Sequence, residues 1–376
     1  MMVRAPQPRP RIKVLIVDDS MIFRRFLLRT FQADPSLEVI AEAASAEEAA
    51  EIMATVRPDV ITLDLEMPGR GGMRLLRETI APRRIPTIVI SSQTIRGARR
   101  TIEALEAGAV DVLAKPQGLQ PGTPDRIALE NIATRVKIVS RLNLHERVET
   151  LKPVIRTIPA RATRDWLLAI GGSTGGVQAF GTLLQSLPAE CPPVVIVQHM
   201  PEGFTHAFAQ RLDNQCAIKV REAAQGDLLQ HGCAYIAPGG DRHMQIVRNC
   251  NLQLEVNLID GDPVCFSKPS VDVLFQSVAR VAGARASGAI LTGMGSDGAR
   301  GLLAMRRAGA KTFAQDESTS LIYGMPARAW EMGGATAQVP LERMAETLLT
   351  SVGTTSAMPE LSVSQAAKNH SKGSVI

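Results

Sequence analysis

The sequence predicts an α/β protein with two doubly wound parallel-sheet domains, flavodoxin-like in the first half and Rossmann-like in the second. Its 376 residues exceed the size of one ordinary hydrophobic core. Short β-branched apolar runs alternate with amphipathic segments over two long stretches, which is typical of parallel sheets. A Pro/Gly-rich break, QGLQPGTPD at 117–125, and the basic segment after it separate the two stretches.

The elements of the first domain, predicted over 11–125, follow from this alternation. Apolar runs predict strands at 13–17, 39–42, 60–63, 87–90 and 110–113. Helical periodicity predicts helices at 21–32, 46–56, 72–80 and 96–107. A basic interdomain linker is predicted at 126–164, where either a solvated helical face or a docking segment would account for the charge.

The second domain is predicted over 165–352, where the same alternation resumes. Its strands are expected near 167–170, 194–197, 234–236, 289–291 and 312–314. The last residues, 353–376, are rich in Ser, Thr and Ala and are predicted to be a disordered tail.

Composition argues against several classes of protein. Lys plus Arg number 42 against 37 for Asp plus Glu, and a net charge of +5 does not argue for nucleic-acid binding. Five cysteines are an odd number and none form CxxC, which favours reduced thiols in a cytoplasm. No signal peptide and no run of roughly 18 apolar residues is present, so we expect a cytoplasmic protein without membrane insertion.

Acidic side chains follow two strands of the first predicted sheet. Asp18 and Asp19 come after VLIV, and Asp64 comes after VITL. The carboxyl ends of parallel strands meet at one edge of a sheet, so these carboxylates should lie close together. They would repel one another without a cation, and hard oxygen ligands suit Mg²⁺. Ser91 and Lys115 also end strands and would bind the oxygens of a phosphorylated aspartate.

These motifs resemble the receiver domain of response regulators over roughly 11–119. The stretches that carry the resemblance are VDDS at 17–20, LDLEMPG at 63–69, VISS at 89–92 and AKP at 114–116. The resemblance implies phosphorylation of Asp64, Mg²⁺ bound by Asp18, Asp19 and Asp64, a switch hydroxyl at Ser91 and a phosphate-binding Lys115. Val112 departs from the family, because many receivers have an aromatic switch residue at this position.

The second domain opens with the turn GGSTGG at 171–176, which suits either a phosphate or a nucleophile. It lacks the GK[ST] ending of a P-loop and the GxGxxG spacing, which argues against phosphate. Ser173 in this turn, His199 after the strand at 194–197 and Asp297 in LTGMGSDGARG would form a nucleophile, base and orienting group. His206 and His243 remain alternative bases, because a sequence carries no distances.

Further motifs make the region from 166 to about 349 resemble the catalytic domain of chemotaxis protein-glutamate methylesterases. They are AIGGSTGG, VQHMPEGFTHAFAQRL, YIAPGGDRH, PSVDVLF, LTGMGSDGA and QDESTSLIYGMPARA. The resemblance implies a Ser173 nucleophile, a His199 base oriented by Asp297, and an oxyanion donor at the Met294 amide. Gly172, where alanine is common, and Thr174 would flank the nucleophile.

The family also implies what the enzyme acts on. Its substrates would be glutamate methyl esters and certain glutamines on the cytoplasmic helices of methyl-accepting chemoreceptors, hydrolysed without a cofactor. A chemosensory histidine kinase would donate the phosphoryl group. Two other hypotheses are a receiver-linked binding module without turnover and a DNA-binding response regulator. The second depends on the basic linker alone, because no helix-turn-helix pattern follows it.

Overall fold

A five-stranded parallel sheet forms the first domain of the computed structural model, which describes residues 10–69, 71–91, 95–115, 126–142 and 166–353. Its strands lie in the order β2-β1-β3-β4-β5. They are β1 (Ile12–Val17), β2 (Leu37–Ala43), β3 (Val60–Leu63), β4 (Thr87–Ser91) and β5 (Asp111–Ala114). The helices are α1 (Met21–Gln32), α2 (Ala46–Thr55), α3 (Gly71–Leu75, continued by a π turn at Leu76–Ile80), α4 (Ile95–Glu106) and α5 (Arg126–Val139).

Helix α5 falls in the range that the sequence predicts to be a linker. Its residues Ile132, Val136 and Val139 are buried in the core of the first domain with Val14 and Phe23. Burial of this apolar face stabilises the helix against the sheet. The described beginning of the predicted linker is therefore the fifth helix of the first domain, while 143–164 and the predicted tail beyond 353 lie outside the described residues.

A seven-stranded parallel sheet forms the second domain, in the order β14-β13-β12-β6-β7-β9-β8. The strands are β6 (Leu167–Gly172), β7 (Val194–Gln198), β8 (Lys219–Glu222), β9 (Cys233–Ile236), β12 (Ala286–Ile290), β13 (Lys311–Gln315) and β14 (Ala337–Val339). A separate antiparallel hairpin consists of β10 (His243–Arg248) and β11 (Leu254–Ile259). The helices are α6 (Gly176–Gln185), α7 (Phe204–Gln215), α8 (Val271–Val281), α9 (Ala299–Arg307), α10 (Met325–Glu331) and α11 (Leu341–Thr350).

The two parallel sheets confirm the predicted fold class. In the second sheet the chain builds outward from β6 through β7 to β9 and then returns to β12 on the opposite side of β6. This reversal of strand order creates a crevice at the carboxyl ends of the central strands, where ligands bind in open α/β sheets. The segments that leave β6, β7 and β12 therefore meet at one edge of the sheet.

Candidate active site and phosphorylation site

The carboxylates predicted in the first domain lie together at the carboxyl edge of its sheet. One carboxylate oxygen from each of Asp18, Asp19 and Asp64 lies within 4.8 Å of the others. Asp18 and Asp64 are buried, whereas Asp19 is exposed. Three oxygen donors with one side open to water are the ligand set that Mg²⁺ prefers, so the residues present fit this ion.

Lys115 forms ion pairs with both buried carboxylates. Its Nζ atom lies 2.6 Å from Asp64 Oδ2 and 2.8 Å from Asp18 Oδ2. Burial raises the pKa of Asp18, although Lys115 opposes this shift. Burial also acts to lower the pKa of Lys115, but the two carboxylates outweigh it, so the pKa of Lys115 lies above its usual value. The lysine therefore stays charged beside Asp64.

The other predicted switch positions lie on neighbouring strands. Ser91 is the buried last residue of β4, and its Cα pairs with that of Ala114 on β5, directly before Lys115. Val112 on β5 is buried and lines the space next to Ser173 of the second domain. The position where many receivers have an aromatic residue thus faces the other domain.

The GGSTGG turn leads from β6 into α6. Ser173 N donates to Thr292 O at 3.0 Å, and Gly176 N donates to Ser173 O at 2.7 Å. Gly175 has a φ of +81°, and a Cβ on it would lie 2.7 Å from Leu321 Cβ. A Cβ on Gly176 would lie 1.9 Å from Gln198 Oε1. Both glycines are therefore required by the tight bend that carries Ser173.

His199 and Asp297 form the pair that the sequence predicts. His199 Nε2 lies 2.8 Å from Asp297 Oδ2. Because the carboxylate only accepts, Nε2 carries the proton and Nδ1 of the neutral ring is left as the basic nitrogen. Gln198, the residue before His199, donates from Nε2 to Ser173 O at 2.8 Å, which joins the ends of β6 and β7.

The Asp297 carboxylate lies against the N-terminus of α8 (Val271–Val281). Its Oδ1 accepts from Ser270 Oγ at 2.8 Å and from Asp272 N at 3.0 Å, and its Oδ2 accepts from Val271 N at 2.8 Å. Burial acts to raise the pKa of Asp297, but His199 and these donors outweigh it and hold the pKa below its usual value. The carboxylate is thus ionised and fixed in orientation, as a group that orients a base must be.

The predicted nucleophile, Ser173, and the predicted base, His199, are adjacent but not hydrogen-bonded. Ser173 is buried and lines the same small cavity as His199. Ser267 Oγ lies 3.4 Å from His199 Nδ1. Within the described part of the chain, Ser173 Oγ forms no hydrogen bond with the His199 ring. Catalytic hydrogen bonds are often long or absent without substrate, so this geometry is compatible with the predicted pair. Ser267 was not predicted from the sequence.

The predicted oxyanion donor lies in the loop after β12. Gly293 packs so closely on the nucleophile that a Cβ there would lie 2.8 Å from Ser173 Cβ. Met294 follows it and is half-buried, with Gly295 exposed beyond it. Met294 is therefore one residue from the close contact between this loop and Ser173, and its role as oxyanion donor stays a prediction. Gly172 and Thr174 flank Ser173, and a Cβ on Gly172 would lie 3.0 Å from Phe180, so alanine needs a small shift of that ring.

The two alternative histidines do not reach the nucleophile. His243 is buried with its Nε2 3.0 Å from Asp262 O, and its Nδ1 accepts from Ser270 N at 3.1 Å. Its two nitrogens are thus both used to hold the loop before α8. His206 is mostly exposed and contacts Gln210 and Glu222. Both have structural or surface roles.

The first domain covers the Ser173 side of this crevice. Asp111, at the start of β5, accepts from Thr174 Oγ1 at 3.0 Å and from Arg135 of α5 at 2.5 Å. Gln178 Nε2 of α6 donates to Leu105 O at 2.5 Å. The sequence does not predict the contacts of Thr174 and Gln178 with the first domain, because they depend on how the two domains pack and not on a local pattern in either domain.

The covering surface leaves little room beside the nucleophile. The cavity between the domains has a volume of about 10 Å³ and is lined by Val110 and Val112 of the first domain and by Ser173, Gln178 and His199 of the second. That volume holds at most one water molecule. Glu106 and Arg211 form a further ion pair across the same boundary.

Within the described ranges, no helix is both long and apolar enough to span a bilayer. The two sites define the class of protein, in which a receiver-type domain is joined to a domain of the serine-hydrolase type. The comparisons with known proteins agree with this division. Residues 168–348 match the family model described as CheB methylesterase, and residues 14–121 match the response regulator receiver domain.

Curated relatives match almost the whole chain. A protein-glutamate methylesterase/protein-glutamine glutaminase 2 of Cereibacter sphaeroides is 48% identical over 86% of this chain and 88% of its own length. A protein-glutamate methylesterase/protein-glutamine glutaminase 1 of Caulobacter vibrioides is 44% identical over 90% of this chain and 97% of its own length. The solved CheB methylesterase catalytic domain of Thermotoga maritima is 34% identical, covering 49% of this chain and 97% of its own, with a TM-score of 0.48.

The chain belongs to the family of CheB methylesterases that carry a response-regulator receiver domain. Its enzyme class is that of the carboxyl-ester hydrolases. The family predicted from the sequence motifs is thereby confirmed.

Proposed function

We propose that this protein is a cytoplasmic, phosphorylation-activated protein-glutamate methylesterase that also deamidates glutamines. Its substrates are the methylated helices of chemoreceptors, as the names of its relatives and the motifs of the sequence suggest. The single observation that supports the reaction best is the His199–Asp297 pair at 2.8 Å, directly behind the turn that carries Ser173.

In the proposed reaction Ser173 is the nucleophile and His199 is the base. Ser173 Oγ attacks the ester carbonyl carbon while His199 Nδ1 takes its proton. The Met294 amide stabilises the negative charge that develops on the carbonyl oxygen. The C–O bond to the methyl group's oxygen then breaks, and methanol leaves with the proton from His199. A glutamine side chain loses ammonia in the same step.

The second half of the reaction regenerates the enzyme. Water attacks the glutamyl-serine ester, His199 takes its proton, and the proton passes to Ser173 Oγ as the bond to the glutamyl group breaks. Asp297 stabilises the imidazolium that forms in both halves. The product is a glutamate carboxylate, so either substrate gains a negative charge. The proposal requires no cofactor for this step.

The first domain controls access to Ser173. Asp64 accepts a phosphoryl group from the histidine kinase of the chemosensory system. Asp18, Asp19 and Asp64 would hold Mg²⁺, which would supply charge neutralisation for the entering phosphoryl group. Lys115 and Ser91 bind the oxygens of the phosphoryl group on Asp64. Phosphorylation then favours an arrangement in which the receiver no longer covers the crevice.

Methanol release from methylated receptor membranes tests this function. The full-length protein with acetyl phosphate and Mg²⁺ is expected to release methanol, and Ser173→Ala is expected to lose this activity. Ser296→Ala is the matched control, because this serine lies next to Asp297 and contacts Cys265 Sγ at 3.8 Å without a proposed role in the reaction. Equal release by wild type and Ser173→Ala would refute the assignment of the nucleophile.

A further inference from the structure

We propose that the turn at 264–267 recognises the protein substrate, and that Phe266 contacts the helix that carries the reacting glutamate. This inference rests on the proposed function, because it names a contact that the same active site makes with its substrate. Three observations carry it: the backbone of the turn, the exposure of Phe266, and the short distances from its two neighbours to the proposed catalytic residues.

The backbone conformation of this turn disfavours a large side chain. Val264 N donates to Ser267 O at 3.1 Å, and Ser267 N donates to Val264 O at 2.9 Å, which closes a two-residue hairpin turn. Cys265 and Phe266 have φ angles of +50° and +63°. Both central residues are thus left-handed, the conformation of a type I′ turn, which Asn and Gly adopt most easily. Local backbone energy therefore favours glycine at 266.

The side chain of Phe266 contributes nothing to the core. Its relative exposure is 101%, the highest among the large hydrophobic residues of the described chain. An exposed phenylalanine forgoes the stabilisation that its burial would bring. Neither the turn nor the packing of this domain accounts for an aromatic residue at this position. Contact with a binding partner does, since aromatic side chains dominate the energetics of many interfaces.

Both neighbours of Phe266 lie close to the proposed catalytic residues. Ser267 Oγ lies 3.4 Å from His199 Nδ1. Cys265 Sγ lies within 4.8 Å of a carboxylate oxygen of Asp297. The ring of Phe266 is therefore at the rim of the active site, and it is fully exposed while the receiver covers the Ser173 side of the same crevice.

The chemistry of the reaction identifies what meets this rim. Ser173 is buried, and a glutamate side chain is short, so the substrate backbone must approach the rim before the ester carbon reaches Ser173 Oγ. On a helix, side chains three or four positions from the ester face the same way. An apolar side chain one turn from the modified glutamate would therefore pack on Phe266. The occupant is an amphipathic helix of the substrate protein.

The test measures KM and kcat separately for methylated receptor membranes, with the full-length protein activated by acetyl phosphate and Mg²⁺. Phe266→Ala is expected to raise KM about tenfold, through the lost apolar contact, with kcat changed by less than about twofold. Phe266→Tyr, which keeps the ring, is expected to retain the wild-type KM. Leu252→Ala is the matched control, because Leu252 is also an exposed apolar residue with a positive φ, in the β10–β11 turn.

A fluorophosphonate that labels Ser173 reports on the reaction centre without a protein substrate. Equal labelling rates in wild type and Phe266→Ala are expected if the variant loses only the contact with the helix. A KM for Phe266→Ala within about twofold of wild type, or an equal rise in Leu252→Ala, would overturn the inference. The inference would also be overturned if Phe266→Ala changed only the self-association of the protein, measured by sedimentation, and not its KM. If the wild type itself releases no methanol, the proposed function fails, and this inference fails with it.

Discussion

Replacing Gln178 by glutamate is expected to raise the esterase activity of the unphosphorylated protein. Gln178 Nε2 donates to Leu105 O at 2.5 Å and lies 3.5 Å from Ala109 O, both carbonyls of the receiver. A glutamate carboxylate only accepts hydrogen bonds, so it would face these two oxygens without a proton to share. The closed arrangement would lose its contact, whereas in the open arrangement water would solvate the carboxylate.

The magnitude follows from the contact that is lost. Leaving a buried acceptor without its donor costs about 1–3 kcal/mol, and burial of the new charge adds to this. A destabilisation of the closed arrangement by about 2–3 kcal/mol changes the closed-to-open ratio about 30- to 150-fold. Basal activity should rise with the open fraction until it reaches the activity of the fully phosphorylated wild type.

The assay is methanol release from methylated receptor membranes, first without a phosphodonor and then with acetyl phosphate and Mg²⁺. Gln185→Glu is the matched control, because Gln185 lies on the same helix, is exposed, and contacts Gln215 of its own domain at 3.5 Å. Its basal activity should equal that of wild type. If Gln178→Glu has normal phosphorylated activity but unchanged basal activity, this contact does not restrain the enzyme.

Three further predictions concern the individual sites. Asp64→Asn should keep wild-type basal methanol release and show no stimulation by acetyl phosphate. Asp297→Asn should lower kcat about 10³- to 10⁴-fold with little change in KM, because His199 loses its orienting carboxylate. The folded-state pKa of Asp297 is lowered, so its stabilising contribution is present above the unfolded value of 3.8 and is lost as pH falls below it. The free energies of unfolding of wild type and Asp297→Asn, measured in urea, should therefore differ by a constant amount from pH 7 to about 5 and converge at lower pH. Gly175→Ala should cost about 1–3 kcal/mol in urea unfolding, because of its positive φ and the contact with Leu321.

The sequence predicts elements whose local signals agree with their packing. Helix α1 has the predicted bounds because Ser20 accepts from Phe23 N at its start and Phe23, Leu27 and Phe31 repeat at helical spacing. The sequence does not predict strand β8, because KVRE has a single apolar residue, Val220, and lies at the edge of the sheet. The alternation in HMQIVR of β10 was a usable signal for a half-buried strand.

The site residues divide in the same way. Ser173, His199 and Asp297 each lie in the segment that leaves a central strand, and the rule for parallel sheets brings such segments together. The contact of Ser267 with His199 depends on the path of an irregular loop, and no spacing rule predicts it. The bond between Asp111 and Thr174 depends on how two domains pack, which no local pattern of either domain specifies.

The receiver surface that covers Ser173 is built from elements directly joined to the proposed phosphorylation site. Ser91 ends β4 and Lys115 directly follows β5, and the two strands pair from Ile88 and Asp111 to Ser91 and Ala114. Asp111, at the other end of that pair, is the residue that bonds Thr174. A phosphoryl group on Asp64 would compete with the carboxylates for Lys115, and any resulting shift of β5 would displace Asp111 from Thr174. Between Asp64, the proposed phosphorylation site, and Thr174, next to the proposed nucleophile, lie the side chain of Lys115, the four-residue strand β5 and the side chain of Asp111.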